Sequence, residues 1–162
     1  MPLKRVFTHK SPKEHYIAAA TTVGCIDARF YKTIDRFLAS LFEDQYVDRL
    51  TLVGGAKALA ESNDPNHRSA MEQIKDSLVL HKSPQLLLML HENCGGYASH
   101  PGLLASVNEI DFLCLEHEKI YTNVRKYINE KGFSSVPIRV YIVDFDGVQE
   151  NELASAQDVV VA

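Results

Sequence analysis

The stretch QLLLMLHENCGGY, residues 85–97, decides the fold that we expect for this chain. Its apolar residues 86–90 are continuous rather than alternating, which is typical of a central strand in a parallel sheet covered on both faces. His91 and Cys94 come just after this strand. Ligands and catalytic groups collect beyond the carboxyl ends of strands in an open α/β sheet, so we expect both side chains to lie in a functional site.

A second stretch, GCIDARF at residues 24–30, has the same form. Residues 17–23 are small and largely apolar, which predicts a first strand, and Cys25, Asp27 and Arg29 come just after it. Two strand ends therefore supply two thiols, an imidazole, a carboxylate and a guanidinium.

These side chains are of the kinds that zinc sites use. Zinc favours thiolate and imidazole ligands in a tetrahedral arrangement, and a catalytic zinc keeps three protein ligands with one open position. We therefore predict one Zn²⁺ per chain, held by Cys25, His91 and Cys94. A buried cysteine at a strand end is often an inert small hydrophobic residue, and Cys25 taken alone fits that alternative. The five residues together favour zinc.

Asp27 and Arg29 are separated by one residue, which places them on one turn as an oriented pair. Asp27 has two possible roles beside a metal. It can accept a hydrogen bond from a metal-bound water, or it can displace that water and become a fourth ligand.

The whole chain has the composition of a globular protein of one domain. It has 162 residues, of which 46% are hydrophobic and 23% charged, with a net charge of -4. No concentrated basic face is visible, which argues against nucleic acid as a partner, and no apolar run is long enough to span a membrane. We expect residues 1–15 to form an N-terminal arm and residues 16–162 the domain. The three cysteines and the lack of a secretion signal predict reduced thiols in the cytoplasm.

Strands and helices alternate along the predicted domain. In chain order we expect strand 17–23, helix 31–45, strand 50–53, a helix around residues 69–78, strand 86–90, a helix over 101–132 and strand 136–143. Ser69 and Glu72 have the spacing of a capping box at the start of the second helix. Pro101 suits the first turn of the long helix, which Gly132 can end.

The order of the strands follows from the predicted site. Cys25 meets His91 and Cys94 only if the first and third strands are neighbours. We therefore predict a single-domain α/β fold with a mainly parallel four-stranded sheet of order 2-1-3-4, flanked by helices. In this order the chain proceeds in opposite directions across the sheet on the two sides of the boundary between strands one and three. Such a switch point opens a crevice at the carboxyl ends of the strands.

Two motifs resemble those of a known family. CIDAR is similar to the CxDxR signature of the beta-class carbonic anhydrases, and HENCGG resembles their HxxCGG signature, in the same chain order. By this resemblance Cys25, His91 and Cys94 are the zinc ligands, and Asp27 with Arg29 is the catalytic dyad. The resemblance also implies a homodimer or a higher homo-oligomer with its active site near a subunit interface. In some members Asp27's counterpart ligates the zinc in a closed state.

The activity that the resemblance implies is the reversible hydration of carbon dioxide to bicarbonate by a zinc-bound hydroxide. The chain also departs from the family. VGGAK at residues 53–57 stands where the family commonly has Arg-Asn-Ala-Gly, and Glu92 and Asn93 replace a small hydroxyl residue and an Asp. Two alternatives therefore stay open: a zinc hydrolase of carbon disulfide, carbonyl sulfide or a similar linear molecule, and a zinc-binding protein with no turnover.

Three further residues have ordinary structural interpretations beside functional ones. Cys114 and His117 lie on the apolar stripe of the predicted long helix, which also contains Val107. We therefore expect a core position for Cys114, and a core or interface position for His117 rather than a role as proton shuttle. His100 precedes Pro101 and can cap the helix start, although its closeness to HENCGG keeps it as a shuttle candidate.

Overall fold

A computed structural model describes residues 5–152 of the chain. Its strands are β1 Ala20–Cys25, β2 Val47–Leu52, β3 Leu86–His91, β4 Ile138–Val143 and β5 Val148–Glu150. Its α-helices are α1 Tyr31–Phe42, α2 His67–Leu80, α3 Pro101–Ala105 and α4 Glu109–Glu130. Short 3-10 helices at Ala28–Phe30, Gly55–Leu59 and Gly95–Tyr97 follow the ends of the first three strands.

The strands form one sheet of order β2-β1-β3-β4-β5. The pairs β1–β2, β1–β3 and β3–β4 are parallel, which confirms the predicted order 2-1-3-4. The sequence prediction lacked β5, which pairs antiparallel with β4. Asp144 makes this hairpin possible, because its carboxylate accepts the backbone N–H groups of Asp146 and Gly147 at 2.8 and 2.6 Å.

The third strand is buried along its whole length, as its continuous apolar sequence predicts. Leu86, Leu88 and Leu90 face the larger part of the core, which contains the buried side chains of α2 and α4. Leu87 and Met89 face the opposite side, where they pack with residues of α1. Helices thus cover both faces of the sheet, and its strand ends remain available for a site.

The predicted long helix is two helices. Pro101 does begin the first of them, but the chain leaves the helix at residues 106–108. Asn108 then caps α4, because its Oδ1 accepts the backbone N–H of Ile110 at 2.9 Å. Val107, which the stripe placed inward, is fully exposed in this break.

The predicted capping box of α2 is wrong. The helix begins at His67, two residues before Ser69, and its N-cap Asn66 makes no side-chain cap bond. Glu72 instead accepts hydrogen bonds from Lys75 and Tyr127. The inner face of this helix is formed by Met71, Ile74 and Leu78, which are buried.

The ends of the chain bear on two further predictions. Residues 5–15 form no helix or strand, and their side chains are exposed. The division into an arm at residues 1–15 and a domain at residues 16–162 stays a prediction. Residues 1–4 of that arm and residues 153–162 of that domain lie outside the part of the chain that the structure describes. Between residues 5 and 152, no helix is both long and apolar enough to cross a membrane.

Candidate metal centre

The fold brings the three predicted zinc ligands together. Cys25 ends β1 and His91 ends β3, and these strands are neighbours in the sheet. One ligand atom from each of Cys25, His91 and Cys94 lies within 4.8 Å of the other two. His91 and Cys94 are buried, whereas Cys25 is partly exposed. The cluster therefore can hold a metal ion at the edge of the protein surface.

The ring of His91 presents a free nitrogen. Its Nδ1 lies 2.8 Å from the carbonyl oxygen of Glu92. Because a carbonyl only accepts hydrogen bonds, we assign the ring hydrogen to Nδ1, and the lone pair to Nε2. Nε2 is buried and makes no hydrogen bond of ordinary geometry within the described residues. A buried nitrogen of this kind fits a metal ligand, since coordination would satisfy it.

Phe30 fixes the orientation of this ring. The centroids of the Phe30 and His91 rings are 4.6 Å apart, and Phe30 is buried. This contact could not be predicted from the sequence, because an aromatic residue in a turn gives no signal of the ring that it packs against.

The two thiols form a coupled pair, and neither is in a disulfide. The hydrogen bond with Cys94 lowers the pKa of Cys25 to about 4, and closeness to His91 acts in the same direction against the effect of burial. The same hydrogen bond and burial raise the pKa of Cys94. For His91, burial acts to lower the pKa, but the Cys25 thiol, the Glu92 carbonyl and the Asp27 charge together outweigh it and raise the pKa. The pair thus holds one thiolate at neutral pH, which is the form that binds metals.

Asp27 and Arg29 form the predicted pair beside this cluster. Arg29 Nε lies 3.0 Å from Asp27 Oδ1, and Nη2 lies 2.6 Å from Oδ2. The backbone N–H of Arg29 also donates to Oδ1 at 3.0 Å, because Asp27 caps the short helix Ala28–Phe30. These bonds lower the pKa of Asp27 to about 2, so its carboxylate is ionised throughout the neutral range.

Arg29 also reaches the turn that carries the other two ligands. Its Nη1 donates to Asn93 Oδ1 at 3.2 Å, and its Nη2 donates to the Asn93 carbonyl at 3.0 Å. Glu109 in the first turn of α4 accepts the backbone N–H of Asn93 at 2.9 Å. These contacts of Asn93 and Glu109 could not be predicted from the sequence, since nothing in the spacing of the two residues relates them to Arg29.

The loop after β2 forms a wall of the centre. Gly55 has φ +61, and a Cβ there would lie 2.6 Å from the Met89 carbonyl and 3.1 Å from the Cys25 nitrogen. Only glycine avoids both the strain and the clash. Gly55 therefore packs tightly against the strands that carry the site.

The remaining candidates lie in ordinary structural positions. His100 Nδ1 accepts the backbone N–H of Gly102 at 3.1 Å and caps α3, as one of its two interpretations predicted. His117 is fully buried, and Cys114 is partly buried against the core. None of these three belongs to the cluster of possible metal ligands found among residues 5–152.

Comparison with known proteins relates the chain to one family. Residues 16–135 match the family model described as "Putative carbonic anhydrase". An uncharacterized protein of Rickettsia bellii is 24% identical over 155 residues, which cover 91% of this chain and 92% of that protein. An uncharacterized protein of Rickettsia conorii is 25% identical over 134 residues, covering 82% of this chain and 71% of that protein.

Solved structures share the fold at low sequence identity. The beta-carbonic anhydrase isoform I of Trichomonas vaginalis has a TM-score of 0.60 and 14% identity, with 88% of this chain and 87% of that chain covered. The beta-carbonic anhydrase CafA of Aspergillus fumigatus has a TM-score of 0.57 and 14% identity, with 89% of this chain and 82% of that chain covered. Tetrameric beta-carbonic anhydrases of Sordaria macrospora have a TM-score of 0.55 and 18% identity, with 84% of this chain and 81% of that chain covered.

Proposed function

The chain belongs to the carbonic anhydrase family whose model its residues 16–135 match, and we propose that it catalyses the reversible hydration of carbon dioxide to bicarbonate. In this proposal Cys25, His91 and Cys94 hold one Zn²⁺. The observation that carries it is the meeting of two thiols and a buried, unpartnered imidazole nitrogen within 4.8 Å. Two sulfur ligands and one nitrogen ligand from the protein fit a catalytic zinc site.

Zinc held by Cys25, His91 and Cys94 would lower the pKa of a bound water to about 7 and so would supply hydroxide at neutral pH. The residues around it have the complementary task of orienting the reactants. Asp27 is ionised and can only accept hydrogen bonds, so it orients the attacking oxygen by accepting that oxygen's hydrogen. Its own direction is fixed by Arg29, which donates from both its backbone and its side chain.

Arg29 has one donor left for the substrate or product. A guanidinium carries five N–H groups, and the bonds to Asp27 and Asn93 occupy four of them. The remaining Nη1 hydrogen has no partner within the described residues and can bind an oxygen of bicarbonate. The rings of Phe30 and Phe145 lie 5.5 and 5.6 Å from the guanidinium carbon and restrict its motion.

We also propose that the chain acts as a homodimer or a higher homo-oligomer. Ile26, Val53 and Phe145 are more than half exposed, and each adjoins one of the site's turns in sequence or in space. Exposed apolar side chains gathered in one region are typical of interaction surfaces. The beta-carbonic anhydrases of Sordaria macrospora, which share the fold, are tetrameric, and this supports the same proposal. Size measurement in solution would test it.

The experiment that tests the proposed activity is a stopped-flow assay of carbon dioxide hydration on zinc-loaded protein. We expect hydration well above the buffer rate between about pH 6.5 and about pH 9, since a zinc-bound water with a pKa of about 7 would supply hydroxide over this range. A rate no higher than buffer would contradict the proposal.

A second candidate function is the zinc-dependent hydrolysis of carbon disulfide, carbonyl sulfide or a related linear molecule. The VGGAK loop favours it, because this departure from the family pattern packs directly against the backbone of Cys25 through Gly55. Release of sulfide without hydration of carbon dioxide would support this candidate. Full zinc occupancy with neither activity, together with loss of stability on chelation, would indicate a non-catalytic zinc protein.

A further inference from the structure

The Asp27–Arg29 pair is tied to helix α4 through Asn93. We infer that Asn93 and Glu109 are positioning residues that hold Arg29 in place and so keep Asp27 from becoming a ligand of the metal. The inference rests on the proposed function in one respect, since it assumes a metal ion at Cys25, His91 and Cys94.

The first step is that Arg29 has two sets of partners. One edge of its guanidinium holds Asp27, with Nη2 and Oδ2 2.6 Å apart. The rest of the group holds Asn93, at 3.2 Å to the side-chain oxygen and 3.0 Å to the carbonyl oxygen. If Arg29 were bound to Asp27 alone, the two side chains could move together. The bonds to Asn93 remove that freedom, because they connect Arg29 to a different turn.

The second step is that Asn93 is itself fixed. It lies between the ligands His91 and Cys94, and its φ of 54 is in the left-handed region that asparagine tolerates. Its backbone N–H donates to Glu109 Oε1 at 2.9 Å. In this way Glu109 holds the peptide that precedes Asn93, and so restrains the residue whose side-chain and carbonyl oxygens bind Arg29.

The third step is that Glu109 stands on a rigid element. It is in the first turn of α4, which Asn108 caps. The same helix buries a row of side chains in the main core: Phe112, Leu113, Ile120, Val124 and Ile128. Helix α4 is thus anchored in the core, and hydrogen bonds connect its Glu109 through Asn93 and Arg29 to Asp27.

The consequence concerns the open coordination position of the metal. With the chain of bonds intact, Asp27 stays with Arg29, and an external ligand can take the fourth position. Without it, Arg29 and Asp27 are free to move, and the Asp27 carboxylate competes with external ligands. Partners of this kind, one layer beyond the metal ligands, typically change metal affinity or activity by about 10- to 100-fold when removed.

Cobalt provides a test that does not depend on activity. We would load each protein with Co²⁺, which gives a visible spectrum in a zinc site, and titrate it with azide at a fixed pH. Azide should perturb the wild-type spectrum saturably, because the fourth position is open. Glu109→Ala should weaken azide binding by about tenfold. Asn93→Gly, which keeps the left-handed φ without strain but loses Oδ1, should weaken it in the same direction.

Two controls separate positioning from general effects on the helix. Glu109→Gln keeps an acceptor oxygen for the Asn93 N–H and should restore azide affinity to within about twofold of wild type. Asp111→Ala removes a different carboxylate, which is exposed, from the first turn of α4, and its azide affinity should also stay within about twofold of wild type.

The outcomes distinguish this inference from the proposed function. If all variants bind one Co²⁺ and azide binds Glu109→Ala and Asn93→Gly as tightly as wild type, the positioning role is overturned and the metal centre stands. If Glu109→Gln is as weak as Glu109→Ala, the hydrogen bond to Asn93 is not the cause and the inference is also overturned. A wild-type protein that binds no Co²⁺ would overturn the metal centre, and this inference with it.

Discussion

The backbones of Gly54 and Gly96 touch at the metal centre: a Cβ on Gly96 would stand 2.8 Å from the Cα of Gly54. The same Cβ would lie 3.5 Å from the Cys94 sulfur. The loop after β2 thus packs against the turn of HENCGG with no side chain between them. The position of Cys94 depends on this contact.

Gly96→Ala should therefore damage both the fold and the metal site. Because the new methyl meets backbone that cannot rotate away, we expect the free energy of unfolding to fall by about 1–3 kcal/mol. Zinc affinity should fall as well, since the Cys94 turn must shift. Gly95→Ala is the matched control, because nothing lies within 4 Å of a Cβ there. Equal zinc retention and equal thermal stability of the two variants would contradict this account.

Cys94→Ser tests the assignment of the ligands. It replaces a soft thiolate with a hydroxyl that ionises poorly, which suits zinc badly. Zinc content after dialysis should fall steeply from one ion per chain. Cys114→Ser should keep its zinc and lose some stability, since Cys114 is partly buried against the core. Undiminished zinc in Cys94→Ser would show that other residues hold the metal.

Tyr97→Phe should destabilise the region below the site. Tyr97 is fully buried, and its hydroxyl donates to Glu116 Oε2 at 3.2 Å. Glu116 is itself only 1% exposed. Loss of the Tyr97 hydroxyl therefore leaves a buried side chain with one hydrogen bond fewer. We expect a cost of about 1–3 kcal/mol in chemical denaturation. Tyr31→Phe removes an exposed hydroxyl that donates to the Ile26 carbonyl and should cost less. The reverse ranking would argue against a structural role for the buried bond.

Much of the fold could be predicted because chemistry and topology constrain each other. Cys25 can meet His91 and Cys94 only if β1 and β3 are neighbours. Together with parallel crossover connections, this requirement predicts the confirmed order of the first four strands. The unbroken run of residues 86–90 likewise predicted a strand buried on both faces.

The rest depends on local bonds that periodicity does not reveal. The stripe of apolar residues continues through Val107, yet Asn108 caps a new helix and turns Val107 outward. The connection from Glu109 to Asn93 joins residues 16 positions apart, and only the packing of α4 beside the HENCGG turn creates it. The short strand β5 follows from the hydrogen bonds of Asp144, which the sequence shows only as a turn.

His117 should make the protein sensitive to acid. Burial lowers its pKa to about 4, and a contact with the backbone of Tyr141 opposes this only partly. In the unfolded chain its pKa is about 6.5. Between about pH 6.5 and about pH 4, His117 is protonated in the unfolded state but not in the folded state. The free energy of unfolding is therefore highest above this range and falls as the pH drops through it. The loss amounts to about 3 kcal/mol in total.

His117→Leu removes the titrating group and should flatten this part of the pH profile. Denaturant unfolding of both proteins between about pH 7.5 and 4 would measure the difference, and subtraction removes contributions from other groups. Parallel profiles for the two proteins would show that His117 is not the source of acid sensitivity.

Hydration of carbon dioxide by wild type and Asp27→Asn, each carrying one zinc, tests the central claim most directly. If Asp27 orients the attacking oxygen, the variant should retain its metal and lose activity by about 10² or more, the scale typical of acid–base residues. The account predicts fast hydration by the wild type and that loss in the variant. A wild type no faster than buffer, or a zinc-loaded variant as fast as wild type, would contradict it.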